Sequence, residues 1–183
     1  MRFYTPKRTR EREIARSRGN WLYLQVMSKE EKYQLLVKQI KALVEGEEDE
    51  IAKMANIAAM VHSEMGFWWT GFYRVQGEEL VLGPFQGPVA CSHIGFGRGV
   101  CGTAWKEGKT IIVPDVDQFP GHIACSSESR SEIVVPVRRP SAGESASGSS
   151  EPIVAVLDID SRSLATFDET DHVYLEQIVS LLF

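Results

Sequence analysis

The spacing of apolar positions changes several times along this chain, and each change marks an element. Tyr33, Leu36, Val37, Ile40 and Val44 recur every three or four residues, and Ser28 with Glu31 forms a capping-box signature ahead of them. The pattern predicts a helix that ends in the acidic run Glu45–Glu50, broken by Gly46. A second helical stripe of Ile51, Met54, Ala55, Ala58, Val61, His62 and Met65 runs to Gly66, with His62 read as a residue at the core edge. From Trp68 the period falls to two. Trp69–Val75 reads as a strand, and Glu78–Phe85 as its partner across a turn at Gln76-Gly77. Short strands follow at Val89–Ile94, Thr110–Val113, Glu132–Val137 and Ile153–Asp160, with a short helix near Val100–Lys106. Thr166 and Glu169 read as another capping box, opening a last helix that turns Val173, Ile178, Leu181 and Leu182 inward. Helices before and after a mostly antiparallel sheet make an α+β, sandwich-like domain.

Length and charge refine this picture. A chain of 183 residues has room for one ordinary domain. The polar stretch over residues 138–152, R-R-P-S-A-G-E-S-A-S-G-S-S-E-P, reads as a flexible loop joining two strands of a hairpin. Residues 1–26 carry seven basic side chains against Glu11 and Glu13, a net +5, which against the total of −5 leaves −10 for residues 27–183. The division is therefore a flexible basic extension over 1–26, then a domain over 27–183 whose pattern opens at Met27-Ser28. An acidic body argues against a nucleic-acid surface. The longest apolar runs fall far short of the ~20 residues a membrane-spanning helix needs. The start lacks the apolar core of a secretory signal, and its two glutamates count against a mitochondrial presequence, which leaves the cytoplasm.

Three segments carry candidate chemistry. Gly97-Arg98-Gly99-Val100-Cys101-Gly102 matches G-x-G-x-x-G, but no βαβ unit surrounds it. Its glycines are better suited to tight turns and a close backbone approach to a bound group, such as a small anion met by N–H groups. Cys91, Cys101 and Cys125 are too few and odd in number for a secreted disulfide framework. With His93 and His122 they could ligate zinc, although paired C-x-x-C knuckles are missing; buried inert thiols and thiol chemistry are the other readings. Finally, Glu132 opens one apolar strand while Asp158 and Asp160 close another, where period-two alternation puts both aspartates on one face. If the two strands pair, the acids gather at one end of the sheet, raise one another's pKa and attract an ammonium group. A solvated strand end would carry the same pattern.

Five segments, taken in order, closely resemble the free methionine-(R)-sulfoxide reductases, which are single GAF-domain enzymes. They are Leu82-Gly83-Pro84-Phe85-Gln86-Gly87, Gly97 to Gly102, Asp115-Val116 with Gly121-His122-Ile123-Ala124-Cys125, Ser131-Glu132-Ile133-Val134, and Val156-Leu157-Asp158-Ile159-Asp160-Ser161. The resemblance spans residues 28–183; the basic extension and the Ser/Gly-rich loop after Arg139 depart from it. It implies a GAF fold and reduction of free methionine-(R)-sulfoxide to methionine, with no bound cofactor, thioredoxin as external reductant, and a homodimer. Carried over by motif, Cys125 would be the attacking thiol, Cys91 its resolving partner and Cys101 a further cysteine of the site. Glu132, Asp158 and Asp160 would bind the ammonium group and help protonate the sulfoxide oxygen. Trp69 and Tyr73 would line the pocket around the methyl-sulfur end. A GAF-type sensor that binds a small molecule without transforming it is the competing reading, since many domains of this fold do that. A docking arm formed by the basic extension is a third.

Overall fold

The computed structural model describes residues 27–123, 127–140 and 151–183. The basic extension over 1–26, most of the polar loop and Cys125 lie outside the described residues. Two helices open the domain. In α1 (Lys29–Val44) the Ser28 hydroxyl accepts from Glu31 N–H while the Glu31 carboxylate accepts from Ser28 N–H, satisfying two donors the helix leaves free. Its Tyr33, Leu36, Ile40 and Val44 are buried. Asp49 caps α2 (Glu50–Met65), which buries Met54, Ile57, Ala58 and Val61. Ile51, in the first turn of α2, is exposed.

The sheet has six strands, all antiparallel: β1 (Trp69–Gln76), β2 (Glu79–Gln86), β3 (His93–Gly95), β4 (Ile111–Val113), β5 (Ser131–Arg138) and β6 (Ile153–Ser161). Their spatial order is β3-β2-β1-β6-β5-β4. The strand expected over Val89–Ile94 is found only at His93–Gly95, as the carbonyls of Pro88 and Cys91 pair with side chains rather than with a neighbouring strand. The 87–92 segment instead folds across the sheet, with the Trp69 indole donating to Pro88 O at 3.0 Å and the Tyr73 hydroxyl to Cys91 O at 3.0 Å.

One sheet face packs against α1, α2 and the last helix, α4 (Glu169–Val179), around Phe72, Ile133, Val135, Leu157 and Ile159. The other face, carrying Trp69, Tyr73, Val134 and Val156, is covered by the short helix α3 (Gly99–Glu107). Helix α4 differs from expectation in two ways. Asp168, not Thr166, is its cap, accepting from the N–H groups of Thr170 and Asp171, while Asp171 accepts from Asp168 N–H. A carboxylate there also interacts favourably with the helix dipole, and Thr166 turns its hydroxyl to Ser161 and Ser163 instead. Val173 is exposed rather than inward, opposite the buried stripe of Asp171, Leu175, Ile178 and Leu182. The buried Asp171 accepts from the Tyr33 hydroxyl at 2.7 Å and pairs with Lys29, tying the first helix to the last. Among the described residues no helix is long and apolar enough to cross a membrane.

Candidate active site

Strand register builds the floor of the site. Across β5, β6 and β1, Glu132 stands opposite Asp160 and Asp160 opposite Trp69. In the next row on the same face, Val134 opposes Asp158 and Asp158 opposes Gly71; in the third, Val156 opposes Tyr73. Side chains two apart on a strand share a face, so this pairing puts three carboxyls and two aromatic rings on one patch. Gly71 makes room for it: a Cβ there would stand 2.5 Å from the Trp69 ring and from Phe85 Cβ. Trp69 then stacks between Tyr73 and Phe85, with ring centroids at 5.9 and 5.5 Å.

The roof is the start of α3. A Cβ on Gly102 would lie 2.5 Å from the Gly95 carbonyl oxygen, so only glycine lets the helix press this closely on β3. That approach drives Cys101 down onto the acids. Its Sγ is 4.0 Å from Glu132 Oε1, and the donor atoms of Cys101, Glu132 and Asp158 all lie within 4.8 Å of one another. The cleft so formed holds roughly 540 Å³ of space, part of it open to solvent, and is lined by Trp69, Tyr73, Arg98, Gly99, Val100, Cys101, His122, Ser129, Glu132, Asp158 and Asp160.

Burial pushes the carboxyls of Glu132 and Asp158 well above the usual range, and the neighbouring acids push further. Hydrogen bonds from Cys101 and Glu132 partly offset this for Asp158. Asp160, also desolvated but relieved by a hydrogen bond with Ser129, is pushed up to about 6. The same burial and the acids raise the Cys101 thiol, which stays protonated at neutral pH. Asp158 Oδ1 is buried without a hydrogen-bond partner among the described residues, so one acceptor of the cluster is left for a ligand.

The structure thus brings together Trp69, Tyr73, Cys101, Glu132, Asp158 and Asp160. Cys91 is disulfide-bonded and sits beside the cleft through its carbonyl bond to Tyr73, whereas Cys101 is a free thiol. Cys125 lies outside the described residues. Among the described residues the cysteine–histidine zinc set is not assembled, since His93 is exposed and pairs with Glu79 at 3.1 Å. Cys101, Glu132 and Asp158 are close enough to hold a divalent cation, but only after losing protons that burial makes them keep. Nor does the glycine-rich segment make a dinucleotide cradle, since it joins a three-residue antiparallel strand to a nine-residue helix. Ser129 beside Asp160 had no sequence signal for this place; Arg98 at the rim and His122, whose Nε2 is 3.9 Å from Glu132 Oε2, lie in segments already singled out but had no role there.

Residues 46–182 match the GAF-domain family model. GAF domain-containing protein A of Dictyostelium discoideum is 53% identical over 156 residues, covering 85% of this chain and 92% of that protein. The free methionine-R-sulfoxide reductase of Escherichia coli is 40% identical over 157 residues, covering 85% and 89%. Among solved structures, the free methionine-R-sulfoxide reductase of Neisseria meningitidis in complex with its substrate superposes with a TM-score of 0.78 at 48% identity, covering 86% and 89%.

Proposed function

Because this chain belongs to the GAF-domain family and, within it, to the free methionine-(R)-sulfoxide reductases, we propose that its cleft reduces free methionine-(R)-sulfoxide to methionine. The observation that carries the reading is the set of buried Glu132 and Asp158 with half-buried Asp160 beneath an aromatic wall. An amino acid's ammonium group neutralises such a cluster, and Asp158 Oδ1 has an acceptor to spare for it. The free N–H groups at the start of α3, where Gly99 and Val100 line the cleft, suit the carboxylate, with Arg98 beside them. Trp69 and Tyr73 suit the methyl-sulfur end.

In this reading the Cys125 thiolate attacks the sulfoxide sulfur. The oxygen moves from the methionine sulfur to Cys125 and one proton is taken up, so methionine leaves behind a cysteine sulfenic acid: the sulfoxide gains the two electrons that the cysteine loses. A protonated carboxyl of the cluster supplies the proton. Cys91 then condenses with the sulfenic acid, releasing water and forming a Cys91–Cys125 disulfide that thioredoxin, a dithiol, reduces. The bonded state of Cys91 and the free state of Cys101 support this division of roles. A peptide-bound sulfoxide would lose either the ammonium or the carboxylate and leave buried groups unpaired, so it should be rejected.

The test is thioredoxin-coupled NADPH consumption with free R sulfoxide, free S sulfoxide and a peptide-bound sulfoxide in parallel. Oxidation of NADPH with the free R epimer alone supports the reading. No turnover with any of the three, from folded protein with reduced thiols, favours the sensor reading. Family membership also points to a homodimer, which light scattering at about twice 20.5 kDa would register.

A further inference from the structure

The end of β6 is fastened at three consecutive residues. Asp160 O accepts from Trp68 N–H at 3.0 Å, and Ser161 O accepts from Arg130 N–H at 2.7 Å. The Arg162 guanidinium lies 3.3 Å above the Trp68 ring centroid and pairs with Glu128 Oε2 at 2.6 Å. Glu128 and Arg130 are thus held on either side of Ser129, which is 9% exposed, lines the cleft and hydrogen-bonds the Asp160 side chain. An exposed ion pair alone would hold little; stacking on an indole fixes the guanidinium plane and makes the hold directional. We propose that Ser129 is a positioning residue which, held in place by the Arg162–Glu128 pair, fixes Asp160 as the ionised partner of the substrate's ammonium group and leaves Glu132 and Asp158 to carry the proton. The proposal rests on the reductase reading of the same cleft.

Three clustered carboxyls resist being anions together, and the substrate needs two different things from them. Its ammonium group needs a negative partner, and its departing oxygen needs a proton. A hydroxyl that donates to a carboxylate favours the ionised form, because a carboxylate only accepts. Glu132 shares its hydrogen bond with Asp158, which favours the protonated form of Glu132, and Asp158 takes its side-chain hydrogen bonds from Cys101 and Glu132, members of the cluster itself. The Ser129 hydroxyl comes from outside the cluster and brings no negative charge. Accordingly Asp160 is pushed up only to about 6, whereas burial and neighbouring acids hold the other two well above the usual range. The other titratable or charged groups facing the cluster are Tyr73 on β1, Cys101 on α3, Arg98 before α3 and His122 before β5.

The experiment uses the full chain and two readouts across pH: calorimetric binding of the product L-methionine to reduced protein, and steady-state kinetics with free methionine-(R)-sulfoxide. Wild-type affinity for methionine should rise as pH passes about 6 and Asp160 ionises. Ser129→Ala should weaken methionine binding and raise KM about tenfold, as expected for loss of a hydrogen bond to a charged group. The rising limb of its kcat/KM profile should move to higher pH, since that limb reports the free enzyme's ionisation. Ser129→Thr, which keeps the hydroxyl, should return KM and methionine affinity to within about threefold of the wild type. Arg162→Gln, at an exposed side chain, should move the limb the same way and raise KM about threefold. An alanine variant with the wild-type limb and affinity, a threonine variant as impaired as the alanine one, or a wild-type affinity that does not change with pH would each overturn the proposal. If Ser129→Ala fails to fold, the Arg162→Gln profile decides, and an unmoved limb there overturns it equally. Absence of turnover in the wild type itself overturns the reductase reading, which is a different result from any of these.

Discussion

At the scale of single residues, the account turns on which groups hold protons. Cys125→Ser should abolish turnover, whereas Cys91→Ser should release one methionine per chain and leave a sulfenic acid, read by mass spectrometry after trapping. With a carboxyl as the proposed proton donor, kcat should fall as pH rises and the acids ionise. The same acids set a stability trend. Asp160 is pushed up to about 6, from ~3.9 in an unfolded chain. Between those values the folded state binds the extra proton, so stability falls as pH rises through the window and stays lower above it. Asp160→Asn removes this term. Relative to the wild type it should gain about 1–2 kcal/mol between pH 4 and pH 8 while losing activity, and thermal melts at the two pH values check it. Alternation along Ile153–Asp160 already put Asp158 and Asp160 on one face. Ser129 and His122 reach the acids only through the path of the chain between β4 and β5, which no local pattern records.

At the scale of elements, register matters more than propensity. The pairing of Glu132 with Asp160, and of Trp69 with Asp160, sets rows of chemistry across three strands, and a one-residue slip would turn all of it to the other face. Gly71→Ala should therefore disturb the Trp69 wall directly. The expected cost is about 1–3 kcal/mol from overcrowding, with KM rising more than kcat falls. Asp171→Ala should cost about 2–4 kcal/mol in urea unfolding, because the buried Tyr33 hydroxyl and the Lys29 ammonium lose their shared partner. Most elements were legible from period and caps, including both opening helices and the β5–β6 pair. The cap of α4 and the length of β3 were not. Thr166 and Asp168 are both acceptable cap residues, and only the packed position of Asp171 selects between them. Pro88 sits in an apolar run whose hydrophobicity serves the cleft rather than a ladder.

At the scale of the molecule, the sheet divides labour between its faces. The face against α1, α2 and α4 holds the larger apolar core, while the face under α3 accommodates buried acids that weaken packing and make a site. The hairpin of β5 and β6 closes through Arg139 N–H donating to Pro152 O at 3.0 Å, and the Arg138 guanidinium donates to Glu151 O and Gly108 O. Replacing residues 141–150 by a short Gly/Ser linker should accordingly leave kcat/KM within about twofold, since the added loop-closure entropy is small. The most direct test of the whole account is a single turnover without reductant. Fully reduced protein is mixed with excess racemic free methionine sulfoxide, and methionine, each sulfoxide epimer and remaining thiols are counted. The account predicts one methionine per chain, formed from the R epimer alone, with two thiols lost and Cys101 still free. Consumption of the S epimer, or no methionine from folded, reduced protein, would contradict it.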